Sequence, residues 1–141
     1  MKRLLFSGTS MNSGVAEVGL ALLRIATGAG LALAHGINKV PVPEGFVTAV
    51  GNLGFPAPEF FAWSAALAEL VGGALLAVGL LTRPAALAVA FTMGVAFFLQ
   101  HANDPFQAKE LAFLYMMSAL AFAFIGSGRL GLDQLFRRKE S

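Results

Sequence analysis

Residues 65–83 read AALAELVGGALLAVGLLTR, nineteen positions in which Glu69 is the one charge before Arg83. A helix needs about 20 apolar residues to cross a hydrocarbon core of about 30 Å, and this stretch has the length and the composition. Its glutamate must be exposed, protonated or paired. An exposed side chain would mean a soluble bundle; a paired one means a membrane protein with a polar interior site.

The rest of the chain sides with the membrane. Of its 141 residues 57% are hydrophobic and 13% charged, and 13 are Phe; mean hydropathy is +0.72. Soluble domains average about 45–50% apolar and about 25% charged. The apolar residues fall in blocks rather than at amphipathic spacing. Net charge is only +2 and cysteine is absent, so nucleic acid is not an expected partner, and disulfides, thiolate metal sites and dithiol redox chemistry are excluded. The opening MKRLLFSGTSMNSG has too short an apolar run for a cleaved signal.

Four blocks reach spanning length: about 15–37, 60–81, 84–100 and 109–126. The expected organisation is an all-α, antiparallel four-helix transmembrane domain over 15–126, with a cytoplasmic N-terminal segment at 1–14 and a cytoplasmic tail at 127–141 that ends in a short amphipathic helix. Prolines in NKVPVPEG and GFPAPE bracket the first connection, and FVTAVGNL between them suits a short surface helix. The link TR, followed by Pro84, makes the second and third spans antiparallel neighbours.

Lys2, Arg3, Arg83, Arg129, Arg137, Arg138 and Lys139 fall on one side, and only Lys39 and Lys109 on the other. The positive-inside rule then puts both termini in the cytoplasm of a multi-pass protein of the cell (inner) membrane. With this topology, and helix ends taken as level, Arg24 and Glu69 lie roughly 12 Å and roughly 16 Å above the cytoplasmic edge. An unpaired Arg at a helix centre costs about 2.5–3.5 kcal/mol, so a buried Arg24–Glu69 ion pair is expected. Ala65, Gly72, Gly73 and Gly28 flank it and favour close helix approach. The pair either fixes helix register or serves binding or proton movement.

Arg24, Gly28, Leu31, His35 and Asn38 recur at spacings of three and four and trace one face of the first helix. At its outer end His35, Asn38 and Lys39 stand at the height of Gln100, His101, Glu110 and Glu59. These residues are either interfacial side chains in water or a site for a quinone or a partner protein. No metal is expected, because two His and a Glu on three helices have no diagnostic spacing, and nothing in the flanks calls for heme. Phe91, Phe97, Phe98, Phe106, Phe113, Tyr115, Phe122 and Phe124 either wall a ligand cavity or pack and face lipid.

The stretches LLRIATG (22–28), HGINK (35–39), GFPAPEFFA (54–62), ELVGGALLAVGLLTRPAAL (69–87) and GSGRLGLDQL (126–135) together resemble the DoxX family of small four-helix membrane proteins. In RLGLD many members have serine before the leucine. The resemblance implies a multi-pass bacterial or archaeal protein related to the membrane parts of quinol oxidase and thiosulfate:quinone oxidoreductase assemblies, and it draws attention to Arg24, His35, Lys39, Glu69, Arg83, Arg129 and Asp133. Arg83 and Asp133 are expected either to pair on the cytoplasmic side and dock the tail, or to be solvated separately. The leading functional expectation is an accessory or anchor subunit of a quinone-linked oxidoreductase, not catalytic alone, embedded in lipid beside other redox subunits. No resident cofactor is fixed by the residues, and a quinone is the candidate they accommodate. A homo-oligomer is compatible with the same surface. The alternatives are a small transporter, favoured by buried charge but lacking an evident inverted repeat, and a scaffold with no ligand.

Overall fold

The computed structural model describes residues 13–137. The expectations for the N-terminal segment up to residue 12, including its lack of a cleaved signal, and for Arg138 and Lys139 lie outside them. The chain is all-helical: α1 (Gly14–Lys39), α2 (Glu44–Asn52), α3 (Pro58–Val78), α4 (Thr82–Gln100), α5 (Phe106–Ile125) and α6 (Asp133–Arg137). Four of these, α1, α3, α4 and α5, are long and apolar enough to cross a membrane. They form a ring in which α1 packs on α3, α3 on α4, α4 on α5 and α5 back on α1. The helix α2 lies over α3. The connections at 40–57 and 101–105 mark the loop end of the bundle; the start of α1, the α3–α4 turn and residues 126–137 mark the terminal end.

Small residues bring α1 and α3 together. A methyl group on Gly28 would collide with the Gly73 carbonyl and the Ala77 amide, and one on Gly36 would sit 2.5 Å from Leu70 Cα. Gly73 in turn lies against Gly28 and Ala32. Gly28, Ala32 and Gly36, four residues apart, thus form a groove in α1 into which the backbone of α3 settles, since lipid offers no competing reason to exclude apolar side chains and packing decides. The buried stripe of α1 is Glu17, Leu20, Ala21, Arg24, Thr27, Gly28 and Leu31. It does not continue to His35 and Asn38 as the regular spacing predicts. Residues Ala32–Gly36 form a π turn, whose wider winding rotates the following residues off that face; His35 is half-buried and Asn38 exposed.

The α3–α4 turn shows why its glycine is needed. Gly79 caps α3 at φ +73°, donating to the Leu75 carbonyl at 2.9 Å, a conformation that glycine adopts without strain. A Cβ there would also come within 2.6 Å of Arg24 Nη1 and 2.7 Å of Gly131 Cα.

If the α1–α3 contact sets the register, Gly28→Leu should lower stability in detergent by about 3 kcal/mol or more, because backbone cannot yield as a side chain would. Gly19→Ala, which meets nothing within 4 Å, should stay within about 0.5 kcal/mol of the parent. Thermal unfolding of both variants in one detergent provides the comparison.

Candidate functional site

The expected Arg24–Glu69 pair does not form. On α1, Arg24 stands at the level of Gly79, whereas the backbone at Glu69 faces Gly36. At about 1.5 Å per residue, the levels of Arg24 and Gly36 are about 18 Å apart. Counting depth from helix starts assumes level ends, but α1 projects beyond the end of α3 at the terminal end. That overhang is covered by residues 126–133.

Arg24, only 1% exposed, donates from Nη1 to the Leu76 carbonyl at 2.8 Å and to the Ala77 carbonyl, and from Nη2 to the Leu130 carbonyl at 3.3 Å. Both carbonyls belong to the last turn of α3, where helical partners run out; the Leu76 carbonyl also accepts from the capping Gly79 amide at 3.2 Å. They lie where the helix dipole favours a cation. Asp133 acts electrostatically on the same guanidinium.

Asp133 does not pair with Arg83 either. Its carboxylate accepts from the Leu81 amide at 2.7 Å and the Thr82 amide at 3.1 Å, which would otherwise be orphan donors at the start of α4. Its own amide donates to the Gly79 carbonyl at 2.8 Å. Arg83 Nη2 donates to the Phe124 carbonyl at 2.9 Å, near the end of α5. The tail is therefore docked by Asp133, but onto backbone.

Glu17, 3% exposed, completes this end: its Oε2 accepts from the Arg129 amide at 2.7 Å. Sequence reasoning passed over Glu17, although it lies seven residues before Arg24 on the same apolar stripe, a placement that marks an ionisable side chain facing inward.

At the loop end Glu69 finds a different cation. Lys39 Nζ lies 2.7 Å from both carboxylate oxygens, with the Glu69 side chain 3% exposed and that of Lys39 31%. This pair forms one wall of a cavity of about 380 Å³ between α2, α3 and α4. Phe46 and Val50 of α2 cover it, Phe55 and Phe61 flank it, and Ala65, Ala68, Ala88 and Phe91 line it between α3 and α4. Phe91 and Ala88 are exposed on α4, so the cavity reaches the lipid-facing surface between these two spans.

Gln100 and His101 also line the cavity. His101 Nδ1 is engaged by Asp104 Oδ2 at 2.6 Å.

Of the expected outer cluster, Lys39, Gln100 and His101 share this cavity; the others do not enter it. His35 packs edge-on against Tyr115, ring centroids 5.8 Å apart. Asn38 donates to the Ala34 carbonyl at 3.1 Å, and Glu110 is exposed on α5. Most of the expected aromatic wall is elsewhere too: Phe97, Phe98, Phe106 and Phe113 form a cluster between α4 and α5, and Phe122 is core. Phe46 and Phe55 were missed because the covering helix and its loop were read as a connection. No group of three metal-ligating side chains occurs among the described residues.

Three helices are wound wide around this region: Ala32–Gly36 and Ala96–Gln100 near the loop ends of α1 and α4, and Ala68–Gly72 at the middle of α3, are all π turns. The cavity touches two of them through Ala68, Glu69, Ala96 and Gln100, and Lys39 closes the short 3-10 turn that follows the first. Such turns recur at functional sites, where they aim a side chain that regular winding would point elsewhere.

A family model named DoxX matches residues 19–102. The chain belongs to the DoxX family. The matched region of this DoxX-family protein holds Arg24, Lys39, Glu69 and His101, and ends before Asp133. Among curated relatives, "Putative oxidoreductase CatD" of Bacillus subtilis (strain 168) is 33% identical over 127 residues, covering 89% of this chain and 92% of that protein. An "Uncharacterized protein" of Haemophilus influenzae (strain ATCC 51907 / DSM 11121 / KW20 / Rd) is 34% identical over 128 residues, covering 85% and 92%. No solved structure matches significantly. Membership and the four apolar helices make this a multi-pass membrane protein.

Two stability measurements check the pairings. In a double-mutant cycle by thermal unfolding, Lys39→Met and Glu69→Gln should couple by about 2 kcal/mol, whereas Arg24→Gln and Glu69→Gln should add within about 0.5 kcal/mol. Asp133→Ala should cost about 2 kcal/mol, having removed a charged acceptor from two amides, with Arg83→Ala much milder.

Proposed function

We propose that this protein is the membrane subunit of an oxidoreductase assembly and that the cavity between α2, α3 and α4 receives the ring of a membrane quinone. The single observation that carries this is the cavity itself: about 380 Å³, aromatic on several sides, open toward lipid and polar at one wall. The name of the Bacillus subtilis relative supports the oxidoreductase class.

The residues fit a quinone ring. Phe46, Phe61 and Phe91 offer apolar faces, and the gap beside Ala88 leads an isoprenoid tail into the bilayer. Lys39 has three donors, of which Glu69 takes two; the third can hold a ring carbonyl. With Nδ1–H donated to Asp104, neutral His101 has Nε2 left as an acceptor for a hydroxyl of the reduced, quinol ring. When bound, a quinone would supply the two-electron carrier that passes reducing equivalents into the lipid phase; the chain's own residues bind, orient and screen it from water. The electron-donating centre then belongs to a partner subunit. The excess of Lys and Arg at the terminal end supports a cytoplasmic location for both termini in the cell membrane. The partner is accordingly expected on that side or within the membrane.

The chain has one tryptophan, Trp63, one residue from the cavity-lining Ser64. Titration with a short-chain 1,4-naphthoquinone should quench its fluorescence saturably. Ala65→Phe, which fills the space, should weaken binding at least tenfold with little change in thermal stability. Quenching that never saturates, or is indifferent to Ala65→Phe, would rule out this cavity as the ring site.

A further inference from the structure

The Lys39–Glu69 pair is asymmetric. Glu69 is fixed in the middle of α3, in a π turn, with its side chain 3% exposed. Lys39 ends α1 and is ten times as exposed at 31%. Its ammonium hangs on a flexible stem, 5.1 Å from the centre of the Phe46 ring. Lys39 can leave the pair by rotating about its own side chain; Glu69 cannot follow.

The cavity also has a tight charge balance. Its titratable lining is Lys39 from α1, Glu69 from α3 and His101 just after α4, and no such residue of α2 or α5 lines it. Glu44 and Glu59, at the starts of α2 and α3, are exposed, and His35 faces Tyr115. Lys39 and Glu69 therefore sum to zero in a largely apolar space. An anion entering alone would break that neutrality, at high cost in a medium of low dielectric.

We propose that Lys39 and Glu69 form an exchangeable pair, through which an acidic ring compound enters the cavity together with one proton. The ionised ring oxygen accepts hydrogen bonds from Lys39, which leaves Glu69. The Glu69 carboxylate, without its counter-ion, takes one proton from water and becomes the neutral acid. One negative charge and one positive charge have entered, so the cavity is neutral before and after, and no electrons move. A ring without an acidic group only uses the third donor of Lys39 and takes up no proton. This inference rests on the proposed ring-binding role of the cavity and adds a substrate class to it: hydroxylated, anionic quinones and phenolic rings of similar size.

The test compares two probes on the purified full chain in detergent. One is a 2-hydroxy-3-alkyl-1,4-naphthoquinone, held at pH values where it is anionic and coloured; the other is its 2-methyl analogue, which cannot ionise. Calorimetry in two buffers of different ionisation enthalpy counts protons, and the visible spectrum reports the charge of the bound probe. The expected result is about one proton taken up per hydroxy-probe bound, with the probe still showing its anionic spectrum. Its affinity should rise about tenfold per unit fall in pH, the slope for one linked proton. The 2-methyl probe should bind with no proton. Glu69→Gln should bind the anion at least as tightly, with no proton and a flat pH profile.

Binding of both probes to the parent protein without proton uptake overturns the exchange and leaves the ring site standing. So does a bound probe with the spectrum of the neutral acid, or uptake that persists in Glu69→Gln. Binding of neither probe overturns the ring site, and the exchange with it. The parent measurements decide even where a variant fails to fold.

Discussion

The backbone contact between α1 and α3 is the constraint on which the remaining arrangement depends. Gly28, Ala32 and Gly36 allow α3 to approach until main chain touches main chain at Gly73, Ala77 and Leu70, and at that distance the two helices cannot slide. The register then distributes the charges. It brings Arg24 to the carbonyl end of α3 and Glu69 to the far end of α1, where Lys39 waits. Each buried charge finds a partner that its helix stagger, and not its nominal depth, selects.

The two ends of the bundle consequently have different characters. At the terminal end nearly all polar partners are backbone: Arg24 on carbonyls of α3, Asp133 on amides of α4, Glu17 on the amide of Arg129. Such contacts close helix ends. At the loop end the ions partner each other across a cavity, beneath a covering helix, with one member half able to move. Two of the three π turns lie at that second end and the third at the middle of α3, where it carries Glu69. The cavity lies there too, and the backbone ties lie at the first end.

How much of this was legible in the sequence depends on what each residue needed. The four spans and their all-helical class were readable, because bilayer thickness fixes helix length and apolar blocks leave little choice. The small residues of α1 and α3 were readable as a close approach. The partners of the buried charges were not. Helix stagger depends on which glycine meets which backbone, and spacing alone carries no such information; an arginine near a glutamate in estimated depth looked like a pair. Asp133 shows the same limit, since nothing in its neighbours says that two amides of a turn fifty residues earlier will claim its carboxylate. The π turns were invisible for another reason: they insert no distinctive residue, yet they rotated His35 and Asn38 off a stripe that regular winding would have preserved. Glu17 alone had a readable signal that went unused, its heptad spacing from Arg24.

Residues 126–133, with their ties to Glu17, Arg24 and the α3–α4 turn, also bear on how the protein is made. This stretch leaves the ribosome after all four spans. Until it arrives, Arg24 lacks the Leu130 carbonyl, Glu17 lacks the Arg129 amide, and the Leu81 and Thr82 amides lack the Asp133 carboxylate. A nascent bundle is therefore incomplete until residues 126–133 dock on it. Termination just after α5 would leave all of these bonds unmade, and with them the closure of that end of the bundle.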